Sequence, residues 1–375
     1  MLLTKAKRMN SVQKSIIRQI FEAAQGKAIN LDLGEIQFDT PELLRVYAAE
    51  VVMKENCRYT ENAGLREIRE KVAEYYNNKV EIEGVCITCG AAEAIHSCFT
   101  AYINPGDEVM LADPTFLAYE ASIKLNQGIP VRYRLDPDKG FGLDREDFKA
   151  KINDKTKIVV ICNPSNPLSK CLSLEELKFM VEICAQRDVL IIADEIYREL
   201  AYIPRQPSII DLYENSIAIS GLSKSYCMTG WRIGWAASRR AEYIQPVVVA
   251  HQYQSTCAPY LSQKVGILAL SEEGIQTIAA IKSRLIANYE FIKAYLADKL
   301  PEMEYLPPEA APYIFIRVNR DDVKLAAELC QKGVIVIPGS AFGASGKNWI
   351  RISYALNQDL LEKGLDILAS VIREI

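Results

Sequence analysis

Lys224 stands in Ser220-Gly221-Leu222-Ser223-Lys224-Ser225-Tyr226-Cys227-Met228-Thr229-Gly230-Trp231-Arg232-Ile233-Gly234, a run that begins at the end of an apolar stretch. A lysine amine among small residues suits covalent imine chemistry, which needs the amine desolvated and close to a carbonyl. Arg232, eight positions on, can offer a bidentate contact to a phosphate beside that lysine. Taken alone, Lys224 reads more ordinarily as a solvated turn lysine.

Its company changes that reading. Val189-Leu190-Ile191-Ile192-Ala193-Asp194-Glu195-Ile196-Tyr197 reads as a buried strand that delivers Asp194 at its carboxyl end, where ligands of α/β proteins sit. An acid there wants a cation. The protonated pyridine nitrogen of pyridoxal phosphate would supply one, and a carboxylate facing it maintains the electron sink of carbanion chemistry. Tyr197, three residues on, can donate to the 3-oxygen of the same ring. The competing reading of Asp194 is a helix cap after the strand.

Positioning these groups is the task of an α/β frame. Apolar runs at Asp107–Leu111, Lys157–Cys162, Val189–Ala193, Ser216–Ser220 and Ile233–Ala237 are separated by helical stretches. Ile158-Val159-Val160-Ile161 and Val189-Leu190-Ile191-Ile192 show no alternation, as expected of mainly parallel strands covered on both faces. Leu174 to Arg187 opens with Ser173 three before Glu176, a capping-box pattern, and keeps Leu177, Met180, Val181 and Cys184 on one stripe. Beyond Ser271 the pattern changes to a long helix ending near Leu300, then Tyr313–Val318, a helix, Val334–Ile337 and a strand Trp349–Tyr354, which predicts a second domain. A helix from Ser11 to Gln25, closed by Gly26, leads into an extended Ile29–Leu33, so the first thirty residues are expected to pack on that second domain.

With these motifs in place the chain resembles the class I/II pyridoxal-phosphate-dependent aminotransferases of the aspartate-aminotransferase fold (fold type I), almost end to end. The resemblance implies an α/β fold: a large domain, residues 35–265, with a mainly parallel seven-stranded-type sheet flanked by helices, and a smaller α/β domain from the two chain ends, residues 1–34 and 266–375. It makes Lys224 the Schiff-base lysine and Arg232 the phosphate arginine. Asn163-Pro164-Ser165-Asn166-Pro167 is similar to the loop whose second asparagine, Asn166, bonds the 3-oxygen, and Asp113-Pro114-Thr115-Phe116 to the segment whose aromatic, Phe116, stacks on the ring. Thr88-Cys89-Gly90-Ala91-Ala92-Glu93-Ala94 looks like the turn whose backbone, at Ala91 and Ala92, cradles the phosphate. Arg58-Tyr59-Thr60, with Ala63-Gly64-Leu65, resembles the segment whose tyrosine, Tyr59, reaches the phosphate of a neighbouring subunit, which implies a homodimer with shared active sites. Trp349-Ile350-Arg351-Ile352-Ser353-Tyr354 resembles the strand whose arginine, Arg351, clamps the substrate α-carboxylate, with Trp349 on the same side and Ile350 and Ile352 toward the core. Gly34 matches a glycine that lets the backbone approach the substrate.

The implied reaction moves the α-amino group of an amino acid to a 2-oxo acid. Elimination, cyclisation, racemisation or oxidation on the same cofactor is the alternative, and a non-enzymatic ligand sensor of this fold ranks far below both. Departures from the family pattern fall at Ala92 and Gly221, which lack phosphate-binding hydroxyls, at Cys227, and on the substrate side at Ile36-Gln37 and Leu168-Ser169.

Composition limits the remaining classes. With 375 residues, 49% hydrophobic and 25% charged, the chain has room for more than one core. Forty-four basic against forty-eight acidic residues give a net charge of −4, which disfavours nucleic acid. No apolar run suits a bilayer, and Met1–Asn10 lacks the apolar core of a signal peptide, so a cytoplasmic protein is expected. The ten cysteines suggest neither a zinc knuckle nor a disulfide scaffold. His96, on an expected helix, and His251, on an expected loop, have no metal-ligand spacing, and the loop Gln252–Pro259 carries a Tyr253 that, like His251, could touch substrate.

Overall fold

The computed structural model describes residues 4–14, 28–32 and 34–373. Its strands are β1 (Ile29–Asn30), β2 (Val85–Thr88), β3 (Glu108–Asp113), β4 (Ile129–Asp136), β5 (Gly142–Leu143), β6 (Thr156–Cys162), β7 (Leu190–Asp194), β8 (Ser216–Gly221), β9 (Gly234–Ala237), β10 (Tyr305–Leu306), β11 (Tyr313–Arg317), β12 (Val334–Ile335), β13 (Ile337–Pro338) and β14 (Trp349–Ser353). Its α-helices are α1 (Glu42–Lys54), α2 (Arg66–Tyr75), α3 (Ala91–Tyr102), α4 (Ala118–Leu125), α5 (Arg145–Lys151), α6 (Leu174–Ala185), α7 (Ile209–Leu212), α8 (Ala241–Ser255), α9 (Tyr260–Ala269), α10 (Glu272–Lys299), α11 (Asp322–Gln331) and α12 (Gln358–Arg373).

The unbroken apolar runs become the inner strands of one sheet, in the order β2-β9-β8-β7-β6-β3-β4-β5. The pairs β3–β4, β3–β6, β6–β7 and β7–β8 are parallel, whereas β9 lies antiparallel between β8 and β2. Seven strands thus form the expected mainly parallel sheet, and the two-residue β5 adds an antiparallel edge. Both faces are covered, which is why β6 needs no polar alternation: Ile158 and Val160 belong to the core with Ile95 and Phe99 of α3 and Val247 of α8. Val159 and Ile161 belong to the opposite core with Leu177 and Met180 of α6. Each such side chain contributes about 1.5–3 kcal/mol by leaving water. The capping box at α6 is formed, with Ser173 accepting from the Glu176 amide and Glu176 accepting from the Ser173 amide at 2.8 Å.

A smaller sheet, β10-β11-β14-β13, is antiparallel throughout and stands beside the parallel pair β1–β12. The long helix α10 buries Ile278, Ile281, Leu285, Ile292 and Leu296, a stripe at helical period. Leu31 packs on α12, where a Cβ at Gly364 would come within 2.9 Å of it. The single strand expected over Val334–Ile337 is instead two, because Val336 turns the chain from pairing with β1 to pairing with β14.

Three other expectations change. The helix proposed over Ser11–Gln25 falls largely on residues 15–27, outside the described residues, as does Leu33. Ser11–Lys14 are not helical, because the Ser11 hydroxyl donates back to Arg8 O at 2.7 Å and closes a short 3-10 turn, Lys7–Asn10, that lies against α4 on the large-sheet side. Ile29–Asn30 does join the smaller sheet region, through Val334–Ile335. His251 is on a helix, not a loop: α8 runs through Pro246 to Ser255 and buries His251 completely, with Nδ1 3.1 Å from a Glu93 carboxylate oxygen. Cys86 and Cys89 are spaced Cys-x-x-Cys, yet both are free thiols, Cys86 buried within β2, and the described residues hold no group of three or more His, Cys, Asp or Glu placed to ligate a metal. Among the described residues no helix is long and apolar enough to cross a membrane.

Candidate active site

The carboxyl ends of β3, β6, β7 and β8 deliver Asp113, Cys162, Asp194 and Gly221 to one edge of the large sheet, and a cavity of about 490 Å³ opens there against the smaller sheet. That volume is ordinary for a small-molecule site. Gly34, Ala91, Ala92, Phe116, Asn166, Asp194, Tyr197, Lys224, Arg232 and Arg351 all line it. Tyr59 does not: its side chain is 86% exposed on the surface of its own chain.

Lys224 enters from the turn after β8. Its Nζ donates to Gly34 O, and burial pushes its amine down to about 8, opposed by the nearby Glu35 carboxylate and assisted by Arg351 and Arg232. Gly34 stays small because a Cβ there would stand 2.7 Å from the Tyr313 hydroxyl. Arg232 adopts a left-handed backbone, φ 52°, and donates to Thr229 O at 2.8 Å and to Cys89 O at 3.1 Å. Its guanidinium lies over Gly90, where a Cβ would meet Nη2 at 2.5 Å. The amides that open α3 lie beside it, and a helix leaves its first amides without partners in the helix. A guanidinium facing a helix N-terminus is a donor set for a phosphate.

Asp194 is buried at the base of the cavity. Desolvation pushes its carboxyl up, while the Tyr119 hydroxyl, donating to Oδ2 at 2.7 Å, the Ile196 amide at 3.1 Å and the Lys224 charge hold it down. The hydrogen bonds of its carboxylate among the described residues are these two, and neither caps an α-helix: none starts at residue 195, and a 3-10 turn begins at Arg198. Tyr197 bonds the Tyr313 hydroxyl at 2.6 Å. Arg351 is buried, with Nη1 donating to Asn166 Oδ1 at 2.7 Å and Nη2 to Asp32 O at 2.6 Å, its guanidinium 4.3 Å from the centre of the Tyr313 ring and 4.9 Å from that of Phe342. Every residue of β14 is buried, Trp349 included, because Phe315 stacks on it at 5.2 Å. His251 and the exposed Tyr253 do not line this cavity.

Tyr119 and Tyr313, which also line the cavity, were not singled out from sequence. Tyr119 follows Phe116 at helical spacing, a signal that was present. Tyr313 becomes visible only once β11 is paired with β14, which sets Phe315 opposite Arg351 and Tyr313 one diagonal away.

Fold and cavity together define the class: an α/β enzyme with a desolvated lysine between an anion cradle and a buried arginine. The family model for aminotransferase class I and II matches residues 26–368, and the chain belongs to that family. The probable aspartate aminotransferase of Methanocaldococcus jannaschii is 32% identical to it, over 97% of this chain and 98% of that one. Aromatic-amino-acid aminotransferase 2 of Thermococcus litoralis is 31% identical, over 98% of each. The aspartate aminotransferase of Thermus thermophilus solved with maleate superimposes with a TM-score of 0.92 at 27% identity, covering 99% of this chain and 100% of that one. The protein is an aminotransferase, and its family is generally pyridoxal-phosphate dependent.

Proposed function

We propose that this enzyme moves the α-amino group of an amino acid to a 2-oxo acid with pyridoxal phosphate held covalently by Lys224. The observation that carries the reading is one cavity with a desolvated lysine, an anion cradle at Gly90–Ala92 with Arg232, and a buried arginine at the other end. These residues fit the group. The cradle needs no hydroxyl at Ala92 or Gly221: a Cβ at Gly221 already meets Ile233 O at 2.8 Å, and the amides of α3 with Arg232 supply donors instead. Asp194 would face the ring nitrogen, Phe116 the ring plane, and Asn166 and Tyr197 the 3-oxygen. Pyridoxal phosphate, when bound, supplies an aldehyde carbon that bonds an amine and a ring that withdraws electrons from the adjacent carbon.

Arg351 orients the amino acid by its carboxylate, and Gly34 leaves room for the backbone to approach it. Lys224 Nζ, once freed, takes the Cα proton. An amine near 8 is neutral far more often at neutral pH than an ordinary lysine, so it serves as base and then as acid. Asp194 holds negative charge at the base of the cavity throughout, anchored by Tyr119.

The same reading assigns a homodimer with shared sites, in which Tyr59 reaches the partner's phosphate. Support comes from the exposed Tyr59 and Tyr253, on segments tied together by Asn62 Nδ2 donating to Thr256 O at 2.7 Å, with Met53 and Val249 also exposed. It also assigns residues 35–265 to a large domain and 1–34 with 266–375 to a small one, and a cytoplasmic location. The test is a screen of amino donors without acceptor. Release of one 2-oxo acid per site, and no ammonia, supports transamination, whereas continuing release with ammonia points to elimination or oxidation.

A further inference from the structure

We infer that Asp32 is a built-in counter-carboxylate to Arg351, which competes with the substrate carboxylate and yields the guanidinium by taking up a proton. The inference rests on Arg351 as the carboxylate site. Asp32 is wholly buried, and neither of its carboxylate oxygens has a hydrogen-bond partner among the described residues. Its Oδ1 lies 3.7 Å from Arg351 Nη2, close enough for strong attraction in a desolvated site but too far for a hydrogen bond. The backbone makes the close contact instead, since Asp32 O accepts from the same Nη2 at 2.6 Å. Asn30 Oδ1 accepts from the Asp32 amide at 2.9 Å and fixes the turn. The titratable and charged groups facing Asp32 among the described residues are Arg351 from β14 and Tyr313 from β11, the latter paired to Tyr197.

Arg351 needs a counter-charge when no substrate is present, because a buried lone guanidinium is costly. Asp32 provides it without occupying the cavity, which it does not line. A bound substrate carboxylate takes over Arg351 and leaves Asp32 as a second negative charge on one guanidinium. Two carboxylates sharing one desolvated cation cannot both stay ionised cheaply, so one takes a proton. Asp32 is the one disposed to do so: burial already pushes it up to about 6, with Arg351 holding it down. The sign follows. Its pKa rises further in the complex, so binding takes up a proton, affinity is highest below pH about 6, falls as pH rises above that, and levels at the pKa of the complex.

The holoenzyme can be titrated with 3-phenylpropionate and with succinate, both carboxylates without an amine, by calorimetry in buffers of different ionisation enthalpy. The wild type should take up a large fraction of one proton per probe near pH 7 beyond any uptake at Lys224, which Arg351 also holds down and which Asp32→Asn retains. Asp32→Asn should lose that additional uptake, bind the probes about tenfold more tightly at pH 8, and converge with wild type at pH 5.5. Uniformly weaker binding in Asp32→Asn, or parallel pH curves for the two proteins, overturns the inference and leaves Asp32 a structural neighbour of Arg351. If Arg351→Met binds the probes as well as wild type, the assignment of Arg351 itself fails, a separate result.

Discussion

Tyr119→Phe removes one hydroxyl and keeps the shape of a fully buried ring, so it isolates the bond to Asp194. That bond is 2.7 Å long and inside the core, and it is one of two that the Asp194 carboxylate makes among the described residues. Hydrogen bonds to charged groups contribute about 1.5–3 kcal/mol, so losing this one should cost roughly tenfold to a hundredfold in kcat/KM at neutral pH. Desolvation already pushes the Asp194 carboxyl up, and the phenol opposes it. Without the phenol the carboxyl is pushed further up, toward the protonated form that cannot balance a ring cation. The acid limb of the variant's profile should therefore lie at higher pH than that of the wild type. The assay is kcat/KM against pH for the best donor found, with Tm measured in parallel. Full activity at every pH, or a loss that tracks Tm with an unchanged pH profile, would refute the role of Tyr119 as the anchor of a catalytic carboxylate.

Arg351→Lys should cost about 2–4 kcal/mol in kcat/KM for amino acids while cofactor absorbance is retained, because a point charge replaces a fork held between Asn166 and Asp32. Gly90→Ala should weaken pyridoxal-phosphate affinity at least tenfold, measured by equilibrium dialysis: the backbone there has φ 90°, costly for alanine by about 1–3 kcal/mol, and the new Cβ meets Arg232 Nη2 at 2.5 Å. Mixing Tyr59→Phe with Lys224→Ala protomers should restore activity above the sum of the two homodimers, since one hybrid site carries neither defect; no restoration places Tyr59 outside a shared site.

Much of the frame was legible because burial on two faces writes itself into sequence. Lys157–Cys162 carries no polar alternation, and the observed strand, Thr156–Cys162, is buried or half-buried apart from Lys157. Ser173 and Glu176 announced their helix because capping is local. What failed was non-local. Val334–Ile337 reads as one strand, but its two halves answer to partners three hundred residues behind and a dozen ahead. Asp32, in the extended Ile29–Leu33, carries no local sign of its partner, yet it is wholly buried beside Arg351, which arrives from the far end of the chain. His251 reads as loop, although α8 runs through Pro246 and past His251 to Ser255. In the cavity, local motifs picked out the residues with distinctive chemistry, whereas Tyr119 and Tyr313 act through partners that only the packed sheets supply.

The central claim is that Lys224 holds the cofactor, and borohydride reduction of the holoenzyme followed by peptide mapping tests it most directly. A phosphopyridoxyl group on the peptide containing Ser223-Lys224-Ser225, absent from Lys224→Ala, is the predicted result. Attachment at any other lysine, or none in a protein that still turns over amino acids, would contradict the account.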